Sequence, residues 1–123
     1  MANRNFQPVQ VLNRGVKVIA GTIQINASAA VAGSVGNGFS VAKTGTGLYT
    51  ITLEDAYMAL TGGGLALQKA AAAAVFVEMV SNDVVTAKTI VLRTINGSGT
   101  AIDVAAAVDV VFEFHLRNSD VVR

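Results

Sequence analysis

A β-hairpin pattern in residues 39–60 constrains the fold of this chain more than any other feature. The segment FSVAKTGTGLYTITLEDAYMAL contains a strand, a glycine turn at residues 44–47, a second strand and an acidic stop at Glu54-Asp55. Apolar and hydroxyl side chains alternate in the second strand, which is the period of a half-buried β-strand. The alternating residues are Tyr49, Thr50, Ile51, Thr52 and Leu53. The segment therefore predicts two antiparallel strands joined by a tight turn.

The last strand shows the most regular alternation of the chain. Its predicted core face carries Val108, Val110, Phe112, Phe114 and Leu116, and its other face carries Asp109, Val111, Glu113 and His115. Further strands are predicted at residues 39–43, 65–69, 75–80 and 84–95, with a turn at residues 96–99. About seven strands with glycine turns and no helical period predict an all-β antiparallel β-sandwich, jelly-roll or immunoglobulin-like.

Other segments give less regular patterns. In residues 16–25, Val16 and Val18 share one face while Ile19 and Ile23 share the other, so we expect a bulge or bend at Ala20-Gly21. Residues 26–37 are rich in Ala, Ser and Gly and predict a surface loop. Residues 56–60 predict a single helical turn, followed by a flexible glycine segment at residues 61–64.

The 123 residues are expected to form one domain with an arm. Residues 1–14 are polar and lack a regular apolar period, which predicts an extended N-terminal arm that docks on a partner. A disordered tail without a role is the alternative. Residues 15–123 then form a single β-sandwich domain.

The chain contains few charges for its apolar content. Hydrophobic residues make up 52% and charged residues 14%, whereas domains typically carry about 25% charged residues. Exposed apolar surface usually marks an interaction site, which favours self-assembly or binding to a larger partner. The alternative is that Ala and Gly raise the apolar count without making such a surface. The alanine run is either helical or a close subunit contact, and it comprises Ala70, Ala71, Ala72, Ala73 and Ala74.

Charge and hydropathy exclude two classes of partner. The formal charge is +1 without a basic run, so we expect no nucleic acid partner. Charges or glycines interrupt the apolar segments before they reach 18 residues, and the N-terminus lacks an apolar signal-peptide core. We therefore expect synthesis in the cytoplasm and no association with a membrane.

Residues for catalysis are scarce. The chain has no Cys and a single histidine, His115, so thiolate or multi-imidazole metal sites are excluded and a hydrolytic triad is improbable. Glu54 and Asp55 are adjacent in a strand and point to opposite faces, so they cannot flank one bond. We expect no catalytic site, no metal and no cofactor, and the protein is not expected to be an enzyme. Asn26-Ala27-Ser28 and Asn96-Gly97-Ser98 match the glycosylation acceptor pattern only weakly.

The polar arm, the strand from Gly47 to Tyr57 with its acidic stop, and the Asn118-Ser119-Asp120 ending after a phenylalanine-rich strand resemble the decoration, or cement, proteins of tailed-phage heads. This resemblance implies a structural virion protein on the outer capsid surface, made in the host cytoplasm, that clamps neighbouring subunits of the major capsid protein. It implies a homo-oligomer, first a trimer and otherwise a dimer. The arm residues expected to dock on the capsid are Phe6, Val9, Val11 and Leu12, and residues 70–74 are the expected subunit contact.

Two other functions remain open at this point. A carbohydrate- or receptor-binding module is the first, since β-sandwiches often bind sugars, although the chain has no Trp and only Tyr49 and Tyr57 as tyrosines. A tail or neck subunit of a phage particle would also be β-rich and oligomeric.

Overall fold

The computed structural model describes residues 16–69 and 74–117. This part of the chain contains no helix, and its regular structure is antiparallel β-strand, which confirms the all-β prediction. The eight strands are β1 (Val16–Ile25), β2 (Val31–Gly36), β3 (Phe39–Gly45), β4 (Leu48–Leu53), β5 (Ala59–Lys69), β6 (Phe76–Asp83), β7 (Thr89–Ile95) and β8 (Val108–Arg117).

The strands form two four-stranded sheets. Sheet A has the order β2-β1-β8-β5, and sheet B has the order β3-β4-β7-β6. Side chains from both sheets form one hydrophobic core. Phe39 of sheet B and Phe112 of sheet A meet edge to face in this core, with ring centroids 5.0 Å apart. The core therefore lies between the sheets, and each sheet keeps a second face directed outward.

The two most regular sequence patterns gave the correct strand faces. In β4, Tyr49, Ile51 and Leu53 are buried, as predicted. In β8 every second residue from Val108 to Leu116 is buried, also as predicted. The turn between β3 and β4 lies where the glycines predicted it, with Gly47 at φ 66°.

The predicted bulge at Ala20-Gly21 is wrong. β1 pairs with β8 without a register shift from Val16 to Ile25. Gly21 lies on the same face as Ile19 and Ile23, and a Cβ on it would lie 2.6 Å from the Phe39 ring. The glycine thus makes room for an aromatic ring on the core face, while Val16 and Val18 simply face outward.

Two segments predicted as irregular are strands. Residues 31–36 form β2, which pairs with β1, so the loop is limited to residues 26–30. The helical turn predicted at residues 56–60 is absent, because β5 begins at Ala59 and includes the glycines at positions 62–64. At Gly63 (φ 140°) a Cβ would lie 2.0 Å from the Glu113 carbonyl oxygen, so the close approach of β8 requires glycine there.

The long strand predicted at residues 84–95 is shorter and begins at Thr89. Residues 84–87 form a turn, which the Asp83 carboxylate closes by accepting hydrogen bonds from the backbone N–H groups of Thr86 (3.0 Å) and Ala87 (3.2 Å). These bonds lower the pKa of Asp83. The apolar Val84 lies on the core side of the turn and belongs to the hydrophobic core.

Candidate assembly surface

The residues proposed from the sequence as contact sites fall mostly outside the described part of the chain. Phe6, Val9, Val11 and Leu12 lie outside it, as do Ala70, Ala71, Ala72 and Ala73. Ala74 is described and is exposed. Its Cβ lies within 4 Å of where a Cβ on Gly97 would be, so it borders the β7–β8 connection.

The outward face of sheet B carries polar groups along much of its area. Thr44 and Thr50 hydrogen-bond through their hydroxyls at 3.1 Å. The Arg93 guanidinium donates from Nε to the Glu78 carboxylate at 2.8 Å and also bonds it through Nη2. The edge strand β6 also exposes apolar side chains, with Phe76 53% and Val80 43% exposed.

The outward face of sheet A, called here the sheet A face, carries small and β-branched side chains instead. Pairing places Val35, Thr22, Val111 and Ala66 in one row across the four strands. The next row contains Ala20, Glu113 and Gly64, and the third contains Val18, His115 and Gly62. The exposed fractions of Val35, Val111 and Val18 are 59%, 40% and 40%. This face is therefore an apolar surface in contact with solvent.

The sheet A face is concave at its centre. A depression of about 800 Å³ spans all four strands, and its floor is made by small residues, among them Ala20, Gly64 and Ala66. Glycine has no side chain and alanine only a methyl group, so the floor of the depression lies close to the backbone. Val35 borders the depression. A second cavity of about 500 Å³ opens beside β5, between Leu60, Met79 and Phe114.

Polar residues also lie on the outward side of sheet A: Gln24, Asp109 and Gln68 form one row, Arg117 lies at the other end of β8, and Glu113 and His115 form a pair between them. His115 Nε2 lies 2.5 Å from Glu113 Oε1, and both side chains are about half exposed. The two residues follow each other on the outward side of β8, which makes the contact a consequence of strand periodicity. The imidazole binds a carboxylate and contacts no hydroxyl nucleophile among the hydrogen bonds of residues 16–69 and 74–117, so the pair is not arranged for acyl transfer.

A second polar cluster fixes a turn. Asp103 accepts a hydrogen bond from the Gly47 N–H at 2.8 Å and pairs with Lys43 Nζ at 3.0 Å. The bond from Gly47 and then the contact with Lys43 lower the pKa of the Asp103 carboxyl. The cluster ties the β7–β8 connection to the β3–β4 turn, and its bonds serve the fold.

The tyrosines do not form a sugar-binding platform. Tyr49 and Tyr57 are both buried, and the Tyr49 hydroxyl donates to the Ala29 carbonyl at 2.6 Å. Stacking on a sugar ring requires an exposed aromatic face. The two tyrosines are therefore core residues.

Within the described ranges, no group of three or more His, Cys, Asp or Glu residues could hold a metal ion. The same residues include no helix of the length and apolarity that a membrane span needs.

Sequence reasoning missed the sheet A face, although its signal was present. The sequence pattern of Val16 and Val18 predicts a phase slip in β1, and that of Val111 places it with the polar face of the last strand. Apolar residues on the outward side of two neighbouring strands instead indicate an exposed apolar surface. Only the pairing of β1 with β8 brings these valines onto one surface.

None of the protein-family models, curated proteins or solved structures compared with this chain matches it.

Proposed function

We propose that this protein is a structural subunit of a tailed-bacteriophage particle that decorates the outer capsid surface and clamps neighbouring subunits of the major capsid protein. The observation that supports it is the sheet A face, on which Val35, Val111 and Val18 are 59%, 40% and 40% exposed in a chain of low charge. A domain that exposes such apolar surface is suited to contact other protein subunits. Its role is non-enzymatic and requires no cofactor.

The two sheets are proposed to form a sandwich of the immunoglobulin-like type rather than a jelly roll. Rolling up one long hairpin of eight strands would pair β1 with β8, β2 with β7, β3 with β6 and β4 with β5, and of these pairs the described strands form only β1–β8. Sheet B instead joins the hairpins β3–β4 and β6–β7 through β4 and β7, which is the strand order of the A-B-E-D sheet of an immunoglobulin domain. The other sheet has four strands here and three in an immunoglobulin constant domain.

The proposed clamp gains strength from assembly. A homo-oligomer, first a trimer and otherwise a dimer, engages several capsid subunits at once, and its later contacts are effectively intramolecular. Binding only the expanded shell then stabilises that shell by linkage. The capsid-docking segment of the proposal is the arm, through Phe6, Val9, Val11 and Leu12. The partner is the major capsid protein, with neither nucleic acid nor membrane, and the protein is made in the host cytoplasm.

Co-sedimentation with expanded capsids tests this function. The full-length protein is compared with a variant in which Phe6, Val9, Val11 and Leu12 are all replaced by Ser. A matched control replaces the polar Asn3, Asn5, Gln10 and Asn13 by Ser. We expect the wild type and the control to sediment with capsids and the apolar-to-Ser variant to bind more weakly.

The outcomes separate the alternatives. Equal binding of all three proteins would move the docking site from the arm to the β-domain. Failure of the wild type to bind capsids at all would contradict the decoration function. Binding to tails or necks alone would favour the tail or neck subunit, and binding to a glycan array without capsid binding would favour the carbohydrate-binding module.

A further inference from the structure

We propose that the sheet A face is the surface through which copies of this chain contact one another. This inference rests on the proposed role as an assembly subunit and identifies the partner at that face as a second copy. The face is the outward side of β2, β1, β8 and β5, defined by Val35, Thr22, Val111, Ala66, Ala20 and Val18.

Small and apolar side chains make up most of the middle of this face, between the polar row of Gln24, Asp109 and Gln68 and Arg117 at the other end. Val35 and Val111 lie in one row with Thr22 between them, and Val18 lies two rows away along β1. Scattered apolar residues are ordinary on a protein surface, but a continuous apolar surface usually marks a contact. On the outward face of sheet B, Val91 sits between the hydroxyl residues Thr50 and Ser81 instead.

The size of the face suits a subunit contact. The strands β2, β1, β8 and β5 have 6, 10, 10 and 11 residues, and at about 3.3 Å per residue and about 4.8 Å between strands they give a face of about 600 Å². Two surfaces of this size bury about 1,200 Å² in total, which is the lower end of the range for specific interfaces. A small contact of this kind needs repetition around a closed ring to be stable.

Burial of the polar pair on this face would cost little. Glu113 Oε1 and His115 Nε2 already hydrogen-bond within one chain. Covering them with another subunit therefore leaves neither atom of that contact without a partner, which removes the main penalty for burying polar groups. The face contains no cluster of like charges that a second copy would have to approach.

The depression in the sheet A face favours one kind of symmetry between copies of the chain. Two concave surfaces do not fill each other, so the 800 Å³ depression favours a neighbour that inserts a convex part of its own surface. That contact uses two different surfaces and is heterologous, and heterologous contacts form rings when their rotation closes and open filaments when it does not. The trimer proposed above is the smallest such ring.

Light scattering on two matched variants tests the surface. Val111→Glu places a charge on the outward side of a central strand of sheet A, and Val91→Glu places the same charge on the outward side of a central strand of sheet B. We expect the wild type and Val91→Glu to have about three times the chain mass of 12.6 kDa. We expect Val111→Glu to have the mass of one chain.

A second measurement serves in case Val111→Glu fails to fold. The chain has no cysteine, so a single introduced thiol reports the accessibility of its position. Ala66→Cys and Ala42→Cys compare two exposed alanines on outward faces of edge strands, one in each sheet. We expect the thiol at position 66 to react with a maleimide about tenfold more slowly than the thiol at 42, and dilution to remove the difference by mass action.

Each outcome decides the proposal. An oligomeric Val111→Glu variant, or equal thiol reactivity at positions 66 and 42 in an oligomer, would overturn the sheet A face as the contact. A monomeric wild type at micromolar concentration would overturn self-association itself. Capsid co-sedimentation of the wild type is read separately, so a protein that binds capsids as a monomer would keep the proposed function and lose only this inference.

Discussion

Two asparagines, Asn26 and Asn96, close loops of the same design. In each loop the Asn Oδ1 accepts hydrogen bonds from the N–H groups two and four residues later, at 2.9–3.1 Å. The fourth residue of each loop has a positive φ, 65° at Ala29 and 83° at Gly99. Side-chain oxygens of Asn favour such turns. The Asn-x-Ser sequences at both sites are thus explained by loop closure.

Gly99→Ala should lower the free energy of unfolding by about 1 kcal/mol, because a left-handed conformation costs a residue with a Cβ about that amount. A Cβ on Gly99 meets no atom within 4 Å, so the cost is conformational only. Gly97→Ala is the matched control in the same loop, since its φ is ordinary and a Cβ there would meet only Ala74 at 3.9 Å. Urea denaturation of both variants checks this, and equal stabilities would contradict the conformational account.

Tyr49 makes stability depend on alkaline pH. Burial, and secondarily the charge of Asp103, raise the pKa of Tyr49 to about 12, compared with about 10 in an unfolded chain. The folded state therefore resists ionisation, and its stability is retained below about pH 10 and declines as the pH rises towards about 12. Tyr49→Phe should remove that part of the decline. It should also cost about 1–3 kcal/mol at neutral pH by leaving the Ala29 carbonyl unpaired.

Thermal unfolding between pH 7 and pH 11 measures the effect of Tyr49. Tyr57→Phe, which removes a buried phenol and keeps Tyr49, is the control. The same alkaline decline in Tyr49→Phe as in the wild type would assign the decline to other groups.

At the scale of the elements, β8 lies in sheet A and packs against sheet B in the core. Phe112 is 2% exposed and contacts Phe39 at 5.0 Å and Phe114 at 4.9 Å between ring centroids. Phe112→Ala should lower the free energy of unfolding by about 3–5 kcal/mol, because it removes a large buried side chain and leaves a cavity. Val111→Ala, at the outward-facing neighbouring position, should have a much smaller effect. Chemical denaturation compares them, and an unchanged midpoint for Phe112→Ala would mean that the strand phase is wrong by one residue.

Strands with one buried face were predictable from the sequence. Strands that only their backbone pairing with a neighbour reveals were not. β4 and β8 alternate because their inner faces lie in the core. β2 is an edge strand with mostly exposed residues, so its Ala, Gly and Ser carry no period, and only its pairing with β1 reveals it. Gly63 was predicted as flexible because the sequence does not show that the β8 backbone approaches it.

The turn at residues 84–87 shows the opposite error. Apolar residues predicted a strand there, but the Asp83 side chain closes a turn on the following N–H groups and Val84 is buried without pairing in a sheet. Local hydrogen bonding thus overrode the apolar pattern. The same limit applies to the sheet A face, because Val18 and Val111 become neighbours through a strand pairing that joins the two ends of the domain.

At the scale of the whole molecule, the low charge of the chain and the apolar sheet A face both favour assembly. Oligomers of this protein should unfold at a temperature that rises with protein concentration, because unfolding releases separate chains. For a tight trimer, a hundredfold dilution should lower the apparent stability per chain by about 1.8 kcal/mol, which is two thirds of RT ln 100. Val111→Glu should unfold at a lower temperature that does not depend on concentration, and Val91→Glu should keep the concentration dependence.

Calorimetry of the three proteins over a wide concentration range checks this prediction. The comparison is informative because Val111→Glu can lower the midpoint in two ways. Loss of the intersubunit contact removes the slope against concentration, whereas damage to the fold of one subunit lowers the midpoint and leaves the slope in place. A wild type whose midpoint is independent of concentration would contradict an oligomer held by the sheet A face. A sloped Val111→Glu series would place the subunit contact on another surface.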